Sequence, residues 1–118
     1  MAINKRTEGN AFETLAAEYL EKSGMKVIEK NFFCKMGEID LIAIDENYLV
    51  FVEVKYRTDK KKGAAKEAVT FSKMRKISRT ADYYIMKNYK TFPNVRFDVV
   101  AIEDGHLEHI KNAFEYIV

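Results

Sequence analysis

Gly37-Glu38-Ile39-Asp40-Leu41-Ile42 and Phe51-Val52-Glu53-Val54-Lys55, with Glu53 thirteen residues beyond Asp40, set these two acids and a lysine, besides Glu38 near the start, inside runs that are otherwise apolar and strand-like. Side chains alternate along a strand, so Glu38, Asp40, Ile42 and Ile44 are expected on one face of the first run. Phe51, Glu53, Lys55 and Arg57 are expected on one face of the second. Asp45-Glu46-Asn47 supplies turn chemistry between them, which makes a hairpin carrying the acids. If the two faces coincide, two carboxylates and an ammonium converge. Neighbouring carboxylates repel and are costly to desolvate, and the usual relief is a divalent cation or a cationic partner. Oxygen ligands on a hard, partly hydrated cation point to magnesium or manganese. The metal-free alternative is a buried ion-pair knot, Asp40 with Lys55 and Glu53 with Lys73.

Outward from the hairpin, Phe12, Leu15, Ala16, Tyr19 and Leu20 recur at helical spacing before Gly24, which predicts an amphipathic helix over residues 8 to 23. Glu13 falls at the edge of that stripe, beside Gly9, Ala16 and Ala17. Met25 to Phe33 reads as a strand. Thr58 to Ala64, with Lys60, Lys61 and Lys62, lacks apolar periodicity and reads as a mobile loop. A second helix is expected from about Lys66 to Asn88, its stripe formed by Val69, Met74, Ile77, Ala81, Tyr84 and Ile85. Lys73 falls inside the stripe, facing the sheet or snorkelling to water. Val95 to Ile102 is a further strand, and Asp104-Gly105 turns the chain into a last strand or short helix.

With 118 residues and 47% hydrophobic content, the chain suits one core, and residues 1–118 are read as a single domain. The first ten residues are polar and no apolar run approaches the ~20 residues of a membrane helix, so neither signal peptide nor anchor is expected. The lone Cys34 allows no internal disulfide and no Cys-x-x-Cys site, which suits a reducing, cytoplasmic setting. Between Lys55 and Arg79 stand ten Lys or Arg and two acids, in a chain whose formal net charge is only +2. Such a segment is either a solvated face or a polyanion contact; because it starts at the acid pair, it suits nucleic-acid phosphates. His106 and His109 are spaced to share one side of a helix, but they lack a third ligand and read as surface or packing residues.

Asp40 followed by Glu53-Val54-Lys55 is the PD-(D/E)xK nuclease pattern, with Ile39 in place of the proline. More of the chain agrees: Gly9-Asn10-Ala11-Phe12-Glu13, Tyr19-Leu20, Gly24, Asn31, Gly37 to Ile42, Phe51 to Arg57, Ala68-Val69-Thr70 with Lys73, Arg96 to Val100 and Ile110 to Phe114. In this order the segments resemble the bacterial YraN-like endonuclease family over nearly the whole chain. The resemblance implies an α/β, restriction-endonuclease-like fold, a central mixed β-sheet flanked by helices, with the site where two central strands diverge. It also implies kinship with archaeal Holliday-junction resolvases, in which an acid on the first helix joins the site, a position that Glu13 matches.

The activity so implied is magnesium- or manganese-dependent hydrolysis of DNA phosphodiesters. Asp40, Glu53 and the Val54 carbonyl would hold the metal, with Glu13 completing the shell; Lys55 would orient water and Lys73 would reach the phosphate. Lys60, Lys61, Lys62, Lys73, Arg75, Lys76 and Arg79 are the expected backbone contacts, which carry no base sequence. Glu38 is expected to be structural, paired with Lys35 or Arg57, and Arg96 with Asp98 a local charge pair. A binding module with the same fold that acts through a recombination, repair or uptake partner is the alternative. A homodimer would suit symmetric cutting of two strands.

Overall fold

Leu49, Phe51 and the alternating Val50, Val52 and Val54 give one strand two apolar faces, which requires cover on both sides. The computed structural model describes residues 5–57 and 70–117, and provides that cover. Its elements run α1 (Lys5–Lys22), β1 (Lys26–Cys34), β2 (Gly37–Asp45), β3 (Tyr48–Arg57), α2 (Phe71–Asn88), β4 (Asn94–Glu103) and β5 (His106–Phe114). The five strands lie in chain order. Neighbours are antiparallel except β3 and β4, which run parallel from Tyr48↔Asn94 to Arg57↔Glu103. α1 packs on one face through Ala16, Ala17 and Leu20 against Leu41, Ala43, Val50, Val52, Val54, Val100 and Ile102. α2 packs on the other through Ile77, Ala81, Tyr84 and Ile85 against Ile39, Ile42, Leu49, Phe51 and Phe97. This is a restriction-endonuclease-like α/β fold with a mixed central sheet, as the resemblance implies. No described helix is long and apolar enough to cross a membrane.

Local chemistry explains the boundaries. α1 ends in a Schellman motif: Gly24 at φ +101° donates to the Glu21 carbonyl and Met25 donates to that of Leu20. Thr70 caps α2, its Oγ1 accepting from Lys73 N at 3.2 Å. The expected helical residues 66–69 and the lysine-rich loop with Lys60, Lys61 and Lys62 lie outside the described residues. Gly37, at φ +150°, brings β2 against α2, where a Cβ would stand 3.1 Å from Thr80 Oγ1.

Three expectations are corrected. Leu15 and Tyr19 are exposed, and the buried side of α1 is Ala16, Ala17 and Leu20. Glu13 therefore sits on the inward stripe 13, 16, 17 and 20 rather than at its edge. The last element is the strand of the two alternatives expected, so His106 and His109, spaced for one side of a helix, do not share a side: His106 is exposed, whereas His109 packs its Nε2 on Asp98 Oδ2 at 2.7 Å. Finally, strict alternation fails around Asp40. Ile39 and Ile42 both face α2 while Leu41 faces α1, and the β1–β2 ladder passes from Lys30↔Leu41 to Phe32↔Ile39 without pairing Asn31 with Asp40. Asn31 stands at φ +55°, a conformation asparagine tolerates better than most residues, and both strands change side at that point.

The other edge has a matching device. Asn112, at φ +54°, interrupts β5, and its N–H donates to Asp98 Oδ1 at 3.0 Å. Asp98 is fully buried and also takes both arms of the Arg96 guanidinium at 2.9 Å. Burial alone would raise its pKa, but His109, Arg96 and the Asn112 N–H together hold it below the usual range. Arg96 continues to Asp45 at 2.8 Å. The expected Arg96–Asp98 pair is thus present, as part of a network that pins β4, β5 and the end of β2.

Candidate active site

β2 and β3 pair from Asp45↔Tyr48 only as far as Leu41↔Val52, whereas β3 stays bound to β4 through Arg57. Past Val52, the side of β3 that faces β2 has lost its ladder. Asp40 Oδ2 fills the first vacancy, accepting the Val54 N–H at 2.8 Å. A carboxylate thereby replaces a backbone carbonyl and is held in the plane of the opening.

Glu53 alternates onto the α2 face and is only 6% exposed. The Lys73 ammonium stands 3.5 Å from its Oε2, an ion-pair distance without a hydrogen bond. Lys73 therefore does face the sheet, with its side chain 36% exposed. Glu13 approaches from α1, near enough to Asp40 and to the Asn31 side chain for both to act on its carboxyl group. Asp40 is the link, close enough to act on Glu13 on one side and on Glu53 on the other.

The electrostatic consequence is proton retention. Burial, then the hydrogen bond with Asp40 and its charge, push the Glu53 carboxyl up to about 9; Lys73 and Lys55 oppose the shift without cancelling it. Burial, the charge of Asp40 and the hydrogen bond between them raise Glu13 to about 7, against the Asn31 hydrogen bond. Glu38 is exposed and adds to that rise through its charge. Both shifts favour the protonated carboxyl, that of Glu53 well past neutral pH.

Two buried oxygens, Glu13 Oε1 and Glu53 Oε2, have no hydrogen-bond partner. Hard carboxylate oxygens without a hydrogen bond beside a third carboxylate fit a magnesium or manganese ion in chemistry. Among the described residues, however, no three His, Cys, Asp or Glu side chains are already spaced as a ligand set. A cation would be held by Asp40 and Glu53, with Glu13 and the Val54 carbonyl as the other candidate donors. Of the expected ion-pair knot, Glu53–Lys73 is present, while Asp40 is engaged by the Val54 N–H.

The sequence-predicted residues divide clearly. Glu13, Asp40 and Glu53 converge, with Lys55 and Lys73 close enough to act on Glu53. Arg75, Lys76 and Arg79 are exposed along α2, as backbone contacts would need to be. Asn31 was missed as a contributor to the cluster; its signal was an asparagine between Lys30 and Phe32 in a strand-like run. A hollow of about 640 Å³ between α1 and β1, lined by Ala17, Glu21, Val27 and Lys30 among others, contains none of these groups. The convergence of charged residues, rather than concavity, marks the site.

Comparison with known proteins gives the family. The profile of the uncharacterised protein family UPF0102 matches residues 12–102, from the residue before Glu13 to the end of β4. A UPF0102 protein of Lachnoclostridium phytofermentans is 46% identical over 115 residues, covering 96% of this chain and 97% of the relative. One from Caldanaerobacter subterraneus subsp. tengcongensis is 48% identical over 120 residues, covering 95% and 98%. A third, from Thermodesulfovibrio yellowstonii, is 47% identical over 106 residues, covering 90% and 94%. With matches that run almost end to end, the chain belongs to the uncharacterised protein family UPF0102, the YraN family.

Proposed function

We propose that this protein is a cytoplasmic, metal-dependent nuclease that hydrolyses DNA phosphodiesters. The observation that carries the reading is the meeting of Glu13, Asp40 and Glu53 at the break in the β2–β3 ladder, with two carboxyl oxygens left without a hydrogen bond. Bringing three acids together, with Glu53 buried, lowers stability unless the arrangement has another use. Magnesium or manganese, when bound, supplies positive charge at the phosphate and acidifies water. The chain's own groups do the positioning. Val54 N–H fixes the Asp40 carboxylate; Lys55, on the Glu53 face, orients the attacking water and opposes developing negative charge. Lys73 exchanges its loose contact with Glu53 for the phosphate. Arg75, Lys76 and Arg79 hold the backbone, so discrimination follows DNA structure rather than base sequence.

One observation favours the second reading, a non-catalytic DNA-binding module: no ligand set is preformed among the described residues. Cleavage of labelled single-stranded, duplex, flap and four-way-junction DNA with magnesium, manganese or EDTA separates the two, using wild type and Glu53→Gln in parallel. The nuclease reading requires metal-dependent cutting that the variant lacks. Salt-sensitive binding by both proteins without any cutting would replace it with the module.

A further inference from the structure

Two aromatic residues flank the carboxylate cluster in sequence and meet in space. Phe12 precedes Glu13 on α1, and Tyr56 follows Lys55 on β3. Their rings stack with centroids 4.3 Å apart and planes 18° from parallel. This is the tightest ring pair described in the molecule, and it differs from the core pairs in exposure. Phe51 and Phe97, also stacked, are 1% and 2% exposed, whereas Phe12 and Tyr56 are both only half-buried. The pair packs on the α1-side core beside Ala16, Ala17 and Leu20, but unlike those residues both rings keep an exposed part. Part of an aromatic stack is therefore left to solvent at the rim of the site.

The geometry relative to the cluster is specific. Consecutive β3 side chains alternate, so Lys55 lies on the α2 face with Glu53 while Tyr56 lies on the α1 face with Phe12. Their Cα atoms are about 3.8 Å apart, as across any trans peptide. The opening in the sheet, with Asp40 at its centre, connects the two faces. A strand whose phosphate sits against Lys55 and Lys73 would bring a neighbouring base to the outer side of the Phe12–Tyr56 stack. A base paired within a duplex has its faces covered by its neighbours; an unpaired base has a free face to offer.

We propose that Phe12 and Tyr56 form a stacking platform for an unpaired base next to the bound phosphate, which makes single-stranded DNA or the unpaired arm of a branched substrate the preferred ligand. The proposal rests on the nucleic-acid reading above and names its substrate class. Stacking on aromatic side chains tolerates any base, because every base presents a π-face. The basic residues of α2 supply the accompanying phosphate contacts, and neither component reads sequence.

Photocrosslinking in EDTA tests the platform apart from cleavage. Single-stranded oligonucleotides carrying one 5-iodouracil are bound to the wild-type protein, irradiated, and the crosslinked residue is mapped by mass spectrometry. The expected adduct is at Tyr56 or Phe12. Tyr56→Leu and Phe12→Leu are each expected to bind single strands about tenfold more weakly, with duplex binding little changed and Tyr56→Phe close to wild type. Binding with adducts only elsewhere, or equal weakening on single-stranded and duplex DNA, would overturn the platform and leave the nucleic-acid reading standing. Absence of binding to any DNA at low salt would overturn both. If the leucine variants fail to fold, the wild-type adduct map decides by itself.

Discussion

Replacing Glu53 with glutamine should make the metal-free protein more stable at alkaline pH, by an amount that the site's geometry fixes. The Glu53 carboxyl is raised from 4.5 to about 9, first by burial and then by the hydrogen bond and charge of Asp40. Because the folded value is the higher one, the native state binds the proton more tightly than the unfolded chain. That contribution is complete below about pH 4.5 and is lost as pH rises toward 9. At about 1.4 kcal/mol per pKa unit, stability lost to this one group between pH 4.5 and 8 is on the order of 4 kcal/mol. Glutamine keeps the shape, can donate to Asp40 and cannot ionise. It gives up the Lys73 contact, but that lysine side chain is 36% exposed and the loss is held to about 1 kcal/mol or less. A domain of this size shifts its melting temperature by roughly 4 °C per kcal/mol. In EDTA the two proteins should melt together near pH 5, and Glu53→Gln should melt about 10 °C higher at pH 8. Both should keep the smaller alkaline loss between pH 4.5 and 7 that Glu13 contributes. Parallel melting curves from pH 5 to 8, or a variant less stable at pH 8, would refute the claim that Glu53 is held protonated.

Magnesium should act in the opposite sense to pH. Its ligands must lose their protons, so a fixed metal concentration should stabilise the protein more at pH 8 than at pH 6, reaching about 2.7 kcal/mol where it is a hundred times the dissociation constant. EDTA should reverse the effect, and no metal response at either pH would remove the cation from the site. Lys73→Met should leave metal-free stability within about 1 kcal/mol of wild type while abolishing most cutting; a large loss of stability with cutting retained would reverse its assignment. Asp98→Asn should destabilise by about 3 kcal/mol in urea unfolding at pH 7, because Arg96 loses a buried counter-charge. Since Asp98 is depressed in the folded state, its contribution is present above the unfolded value of 3.8 and fades as pH falls below it, so the gap between variant and wild type should narrow in acid. A uniform gap down to low pH would show that charge is not what Asp98 contributes.

The hairpin, its turn and the second helix's apolar stripe were legible because each is local: alternation, a turn triplet and a 3.6-residue period are properties of neighbours in sequence. β3 runs from Tyr48 to Arg57, as its residues indicate. The convergence of Asp40 with Glu53 was inferable for the same reason, both lying on one hairpin. The role of Asp40 was less so. Pattern alone puts it on the face of Ile42, but the kink at Asn31 and Asp40 involves two strands together, and neither sequence records its partner's irregularity. Glu13 was misplaced by one helical step because Leu15 and Tyr19, though large and apolar, are left outside while two alanines go in. Small residues allow α1 to approach the sheet closely, a preference set by the helix–sheet separation and not by hydrophobicity. The strand after Asp104-Gly105 was ambiguous in sequence and was decided by pairing with β4.

The broken ladder between β2 and β3 also has a consequence for the order of folding. The β1–β2–β3 meander is joined by turns of two residues, Lys35-Met36 and Glu46-Asn47, so its hairpins can close within microseconds. Asp40 and Glu53 thus meet early, while water still surrounds them. The parallel β3–β4 pairing must wait for the long excursion from Arg57 to Asn94, and such non-local contacts form slowly. Desolvation of the acids therefore belongs to the late step in which α1 and α2 dock, and refolding should be slower at pH 9 than at pH 6 by stopped-flow fluorescence. Equal rates would mean that the acids are already dry in the meander. Above neutral pH, the chemistry kept for the finished molecule acts as a brake on its own assembly.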